Sequence, residues 1–483
     1  MIFQIAKLRR LRLQTIAVIC FIVILLNGII LFDKQNYYCA KKQELKTLQK
    51  TNVIRDTLIE NPNPYPEPAI SALQDKINNH KSNPYKQAVS SNVYMYSAIL
   101  IEDITHEFDG RGKVVIVNGW EKKVLLDKIN FTCCFFREDN TQFYINSTRK
   151  RATFLNRGLL HSVQYMCPVN VSSIRKVSVS EGPQHCSGHE EYYIKIEVPV
   201  KNESGLAVCS KISYGNMDAK VILEWFEVQR LLGVDKVLTY TYKLNMQAML
   251  VLEYYESIGY AEIIRDFDFP QKEEIPRAAG DTSYPAWVDL QVIMHDCQSR
   301  LYGYKYVAVL DKDELFVPNV TKYGFSLKQM LNKIFENNLA GVQPLVKMHI
   351  TSWKPSNESS ELFLGKYLLS TAPVNDRLKF IYMPSRTKYG SVEVHTIRPV
   401  GKYKRSIFPV TQLVLHHYRK CRTDYPFLKN INENERKSLF KYNSTDNKCF
   451  EFKTYYQQNM ELIIGKIRTR VLELQRKLLC LRK

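Results

Sequence analysis

No two cysteines in this chain of 483 residues stand at the CxxC spacing of a zinc site, although there are 11 of them. The familiar structural zinc modules are thereby excluded. Beyond Cys20 ten cysteines remain, and disulfides in an oxidising compartment are their natural use. Acidic residues are scarce beside basic ones, 48 against 68, for a formal charge of +20. Such a charge first suggests nucleic-acid binding. The excess is concentrated, however, in 401–483, which carries 19 Lys and Arg against 7 Asp and Glu. Much of it falls between Tyr455 and Leu481, where Leu462, Ile463, Ile467, Val471, Leu474 and Leu478 recur at helical spacing. That stretch reads as a docked helix with a solvated basic face; an acidic partner or membrane surface is the alternative. With 45% hydrophobic and 24% charged residues, the chain is neither disordered nor polytopic.

Charge is missing altogether from Thr15 to Phe32, a run preceded by Lys7, Arg9, Arg10 and Arg12. At a rise of ~1.5 Å per residue the run nearly crosses a ~30 Å hydrocarbon core, and Leu11 to Leu13 can extend it. The basic cluster predicts a cytoplasmic N-terminus, a single span and a luminal body. A cleaved signal peptide is the rival reading, but Asn27-Gly28 followed by Ile-Ile-Leu-Phe fits a cleavage site poorly. Asn-x-Ser/Thr acceptors at Asn130, Asn146, Asn170, Asn202, Asn319, Asn357 and Asn443 all fall on the luminal side, which argues against a nucleic-acid partner.

The expected organisation is a tail over 1–12, an anchor over 13–32 and a stem over 33–91 containing the proline-alternating stretch 61–68. A small β-rich accessory domain follows over 92–204, built from short runs such as Val93–Ile101 and Lys113–Val117. From 205 to 425 strands alternate with helices, which implies an α/β domain with a mostly parallel sheet. Asp218 or Asn216 can cap a helix that Gly233 ends, and Gly259 ends the next. The basic helical segment occupies 426–483. Ligands of such sheets bind at the carboxyl ends of the strands.

One such end carries the chemistry. The apolar run Tyr306–Leu310 leads into Asp311-Lys312-Asp313-Glu314. In extended backbone residues i and i+2 point to one side, so Asp311 and Asp313 are expected to share a hard divalent cation. A solvated turn after a strand is the plain alternative. Core packing is the first reading for Trp287 and Trp353, with stacking on the faces of a ligand as the alternative.

Several ordered segments together resemble glycosyltransferase family 92. They are Glu224-Trp-Phe-Glu-Val-Gln-Arg-Leu-Leu-Gly-Val-Asp-Lys-Val, His295-Asp-Cys-Gln-Ser-Arg300, Asp311-Lys-Asp-Glu314, Lys379-Phe-Ile-Tyr-Met-Pro384, Val394-His395 and His416-His-Tyr-Arg419. The resemblance implies a GT-A type Rossmann-like fold, a UDP-sugar donor (UDP-galactose), a manganese-like ion and an inverting transfer to a glycan hydroxyl. Asp313 is then the direct metal ligand and Asp311 bridges metal and ribose. His395 or His417 would add an imidazole ligand, with His416 as an outside candidate. Arg419 would pair with a phosphate, and Asp296 would orient donor or backbone. Glu358, Glu361 and Glu393 are the candidates for the base that inversion requires. Lys312 stands where the family more usually has an aliphatic residue. A cation there implies either a contact with the diphosphate or a weakened metal site. The second possibility supports an alternative reading, a catalytically inactive relative that binds glycans or serves as a scaffold.

Overall fold

The computed structural model describes residues between 86 and 479, apart from stretches of which the longest are 103–111, 123–129, 152–159, 271–286, 422–433 and 435–451. The expected tail, membrane span and nearly all of the stem lie outside the described residues. Among the described residues, no helix is long and apolar enough to cross a membrane.

Tyr65 to Val471 form one compact unit, while the residues from Leu472 onward belong to another. The first part is a nine-stranded sheet, antiparallel at most pairings, in which Lys113–Lys122 lies between Val93–Ile101 and Leu160–Val169. Two disulfides, Cys133–Cys167 and Cys134–Cys186, cross-link it.

The second part is mixed α/β. Its elements are β1 (Asn202–Tyr214), α1 (Ala219–Leu231), β2 (Lys236–Tyr242), α2 (Met246–Ser257), β3 (Ala261–Ile264), α3 (Trp287–Arg300) and β4 (Tyr304–Leu310). After them come β5 (Glu314–Pro318), α4 (Leu327–Ile334), β6 (Leu339–Pro344), β7 (Val346–Ile350), the single turn α5 (Phe363–Lys366), β8 (Leu369–Ser370) and β9 (Ile381–Tyr382). The last are β10 (Lys404–Phe408), β11 (Leu413–Arg419), β12 (Tyr455–Tyr456) and α6 (Gln458–Leu479). The local signals act as expected at α1 and α2. Asp218 caps α1 by accepting from the Lys220 N–H, and Gly233 and Gly259 take the positive φ that stops the two helices.

The main sheet runs β3-β2-β1-β4-β9-β6-β10. The β3-β2-β1-β4 half is parallel throughout, whereas β9 is antiparallel to both β4 and β6. The sheet is therefore mixed, not uniformly parallel. In the 3-2-1-4 order the direction of winding reverses between β1 and β4. Crossover helices leave to opposite faces there, which opens a crevice at the carboxyl ends of those two strands. A smaller sheet, β5-β11-β7, begins with β5, which follows β4 across the turn at Asp311, and β8 pairs with β12.

One hydrophobic core runs through both parts. Tyr94, Trp120 and Leu160 of the antiparallel sheet pack in the same cluster as Leu238, Val292, Ile293 and Val309. The Cys209–Cys297 disulfide ties β1 to α3 within it. Cys297 is thus bonded and buried.

Candidate active site

The apolar side chains of β4 anchor it in the sheet, and the chain turns as soon as the strand ends. The Glu314 N–H donates to the Asp311 carbonyl at 3.1 Å, with Lys312 and Asp313 at the corners of the turn. The extended geometry expected for the two aspartates is thus replaced by a turn, and they face different partners.

Asp311 meets two cations. Lys379 Nζ lies 2.7 Å and Lys211 Nζ 3.1 Å from its Oδ2, and Lys379 also lies 3.3 Å from Glu314. The Asp311 N–H donates to Glu314 Oε2 at 2.9 Å. Lys211 comes from β1 and Lys379 from the segment entering β9, the strands that flank β4. Burial by itself would raise the Asp311 carboxyl; the two ammonium groups outweigh it and hold it well below the usual carboxylate range. Burial draws Lys211 down to about 8 against the pull of Asp311. Burial opposes the charge on Lys379 too, but Asp311 and Glu314 together raise it. For Glu314 burial wins, and its carboxyl is raised.

Lys312 turns the other way. Its Nζ enters the core, donates to Ser210 Oγ and to Thr239 Oγ1 (3.2 Å), and lies 4.4 Å from the Trp225 ring centroid and 5.1 Å from that of Phe226. Burial lowers it to about 7. The cation expected beside the diphosphate is instead a packed side chain held over aromatic faces. The feature that suggested an inactive relative is thus turned away from Asp311 and Asp313.

Asp313 stays half exposed, and His417 Nε2 lies 3.3 Å from its Oδ2. Backbone register creates the pair. β5 and β11 are antiparallel with Glu314 opposite His417, and the Tyr418 N–H donates to the Asp313 carbonyl at 2.8 Å. Burial opposes a charged His417, but Asp313 and Glu314 prevail and raise it. Arg419 is two residues further along β11, on the face of His417.

The remaining candidates are placed elsewhere. The His395 Nδ1–H donates to the Leu378 carbonyl at 3.1 Å, and burial lowers that imidazole to about 3. His416 donates from Nδ1 to His349 Nε2 at 2.8 Å on the inner face of β11. Asp296, expected to orient donor or backbone, is fully buried between the two parts of the molecule. It accepts from Ser97, Tyr240 (2.7 Å) and Arg300 (2.8 Å). Its partners are the protein's own, so it is a structural hub. Glu358 pairs with Lys354 on the surface, Glu361 pairs with Arg468, and Glu393 lies in a turn closed by its N–H to the Thr396 carbonyl.

Among the described residues, no group of three or more His, Cys, Asp and Glu side chains converges on a metal position. The protein's own donor set here is one carboxylate and one imidazole, Asp313 and His417. Such a set suits a manganese-like ion only when phosphate oxygens and water complete the coordination. Lys211 and Lys379 were not foreseen. A lone lysine in the apolar run Leu206–Ile212 of a buried strand is the signal that would have found the first.

Comparison with known proteins matches residues 204–452 to glycosyltransferase family 92. The matched region is about half of the chain, and the chain belongs to that family. The beta-1,4-galactosyltransferase galt-1 of Caenorhabditis elegans is 26% identical over 284 residues, which cover 56% of this chain and 62% of that protein. The match thus spans less than two thirds of that relative's length. Among solved structures, S. aureus TarS (residues 1–349) is similar at 12% identity and a TM-score of 0.25, over 45% of this chain and 60% of that one.

Proposed function

We propose that this protein transfers galactose from UDP-galactose to a glycan hydroxyl, with inversion, using a manganese-like divalent ion and a GT-A type domain. The observation that carries the reading is the meeting of Asp313 and His417 at the carboxyl end of β4, beside an Asp311 already neutralised by two lysines. Breaking the bond between sugar and diphosphate builds negative charge on the leaving nucleotide. A bound divalent ion supplies Lewis-acid stabilisation of that charge. Asp313 and His417 would hold the ion. Lys211 and Lys379 both engage Oδ2 of Asp311, and its Oδ1 would accept a ribose hydroxyl. Arg419, on the face of His417, would pair with a phosphate oxygen.

For location, we propose a luminal body anchored by the span at 13–32, in the Golgi or another secretory compartment. The six described sequon asparagines are exposed or half exposed, and the three disulfides between described residues belong in an oxidising compartment. Digestion with an endoglycosidase should shift the mass of the cell-expressed protein; an unchanged mass would count against a luminal body.

The decisive experiment is transfer by the full chain from UDP-sugars to a glycan panel, with manganese and with chelator. UDP-galactose should be the preferred donor and chelator should abolish transfer. Full activity in chelator would remove the ion from the mechanism.

A further inference from the structure

We infer that the cleft at the carboxyl end of β7 is the seat of the acceptor saccharide, with Trp353 as its principal wall; this rests on the transferase reading above. The cleft has a volume of ≈ 290 Å³ and is lined by Ile350, Trp353, Tyr367, Leu369, Phe452 and Thr454, with Lys354 and Ser356 at its edge.

Its position is set by strand register. β7 runs parallel to β11, with Met348 opposite His417 and Ile350 opposite Arg419. The Thr351 N–H then donates to the Arg419 carbonyl at 2.9 Å. The cleft therefore begins at Ile350, two residues along β7 from Met348, the residue opposite His417.

Its chemistry suits a neutral sugar. The Trp353 and Phe452 rings are 6.4 Å apart and inclined at 42°, a wedge and not a mutual stack. Ile350 and Leu369 add aliphatic surface, and Thr454 and Tyr367 bring hydroxyl groups. Pyranose rings present apolar C–H faces and hydroxyl edges, and mostly apolar clefts with a few polar groups bind such ligands. A diphosphate would need cations. The lining has only Lys354, which is exposed and already paired with Glu358 at 3.2 Å. Tyr455 and Tyr456 of β12, about half exposed, extend the aromatic surface beside Leu369.

The loop that carries Trp353 is held in place from the core. Both oxygens of the buried Glu224 carboxylate are used, Oε1 accepting from the Phe363 N–H at 2.7 Å and Oε2 from the Leu364 N–H at 2.9 Å. His349 Nδ1–H donates to the Tyr367 carbonyl at 2.6 Å. Glu224 is thus a positioning residue for the cleft.

The test uses the full chain with Trp353→Ala and, as a substitution at a half-exposed edge that leaves the core intact, Leu369→Arg. Three quantities are read. They are UDP-galactose hydrolysis without acceptor, transfer to complex-type oligosaccharides released from serum glycoproteins, and binding of those oligosaccharides by ligand-observed NMR. Both variants should raise the acceptor KM by about tenfold and weaken NMR-detected binding, with hydrolysis and donor KM within about twofold of wild type. Unchanged acceptor KM and binding in both variants would overturn the cleft while leaving the transferase reading in place. Trp353-dependent binding without any transfer would keep the cleft and sink the transferase reading. No saccharide binding and no transfer by the wild type would overturn both.

Discussion

Asp296 and Asp313 are both aspartates in segments that resemble the same family, yet they live in opposite surroundings. Asp296, on α3, is sealed between the antiparallel sheet and the main sheet, where Ser97, Tyr240 and Arg300 donate to its two oxygens. Those groups extend into a wider network, since Asn118 donates to Ser97 at 2.9 Å and Gln164 to Asn118 at 2.7 Å. Asp313 stands half exposed with His417 as its side-chain neighbour. A carboxylate fully met by protein donors has no capacity left for a ligand. One that meets a single imidazole at the open end of a strand keeps it. The difference teaches that partner count, and not residue type, separates a structural acid from a binding one.

The comparison can be broken most forcefully at its exposed end. Asp313→Ala should lower the rate of transfer at least ~10³-fold, equivalent to about 4 kcal/mol of barrier, with the thermal midpoint unchanged. Steady-state kinetics and a melting curve check both halves, and retained activity would remove Asp313 from the site. At the buried end, Asp296→Ala leaves Arg300 and Tyr240 facing an empty acceptor. It should cost about 3 kcal/mol in denaturant unfolding. An equally stable variant would mean that the network is not the hub described here.

Glu224 is an intermediate case, buried like Asp296 but met by two backbone N–H groups. Burial raises it to about 7, against the opposing pull of those N–H groups. A raised folded-state value means that its contribution is fully present below about 4.5 and is lost as the pH rises through about 7. Wild type should therefore lose about 3 kcal/mol relative to Glu224→Gln between those pH values. A difference in stability that stays flat with pH would show that the carboxyl is not raised. The smallest effect is expected at Lys312. Lys312→Met keeps the volume and loses the polar tip, so stability should change by less than about 1.5 kcal/mol. Transfer should stay within about threefold of wild type; a large loss would show that this ammonium serves the donor after all.

Much of the α/β part was legible along the chain. The apolar run before Asp311, the cap at Asp218 and the stops at Gly233 and Gly259 are local signals, and the elements form where those signals lie. The site was legible only in part. Asp311 and Asp313 could be singled out because they stand at i and i+2 just after an apolar run, and His417 because it closes another. The partners of Asp311 could not, because Lys211 and Lys379 lie 100 and 68 positions away and meet it only through the order of β1, β4 and β9. His395 looked as suitable as His417, with His416 as an outside candidate. A one-residue step on β11 puts His416 on the inner face against His349 and His417 on the outer face against Asp313.

By itself the sequence determined the family, the alternation of strands and helices and the acidic turn at the end of a buried strand. Those follow from periodicity, capping and short-range pattern, which act within a few residues. Only the tertiary structure decided that the turn sends Lys312 into the core, that Asp296 is consumed at an internal interface, and that Asp313 meets His417. Each of these depends on which strands become neighbours and in what register, and a shift of one residue would exchange every inward and outward side chain.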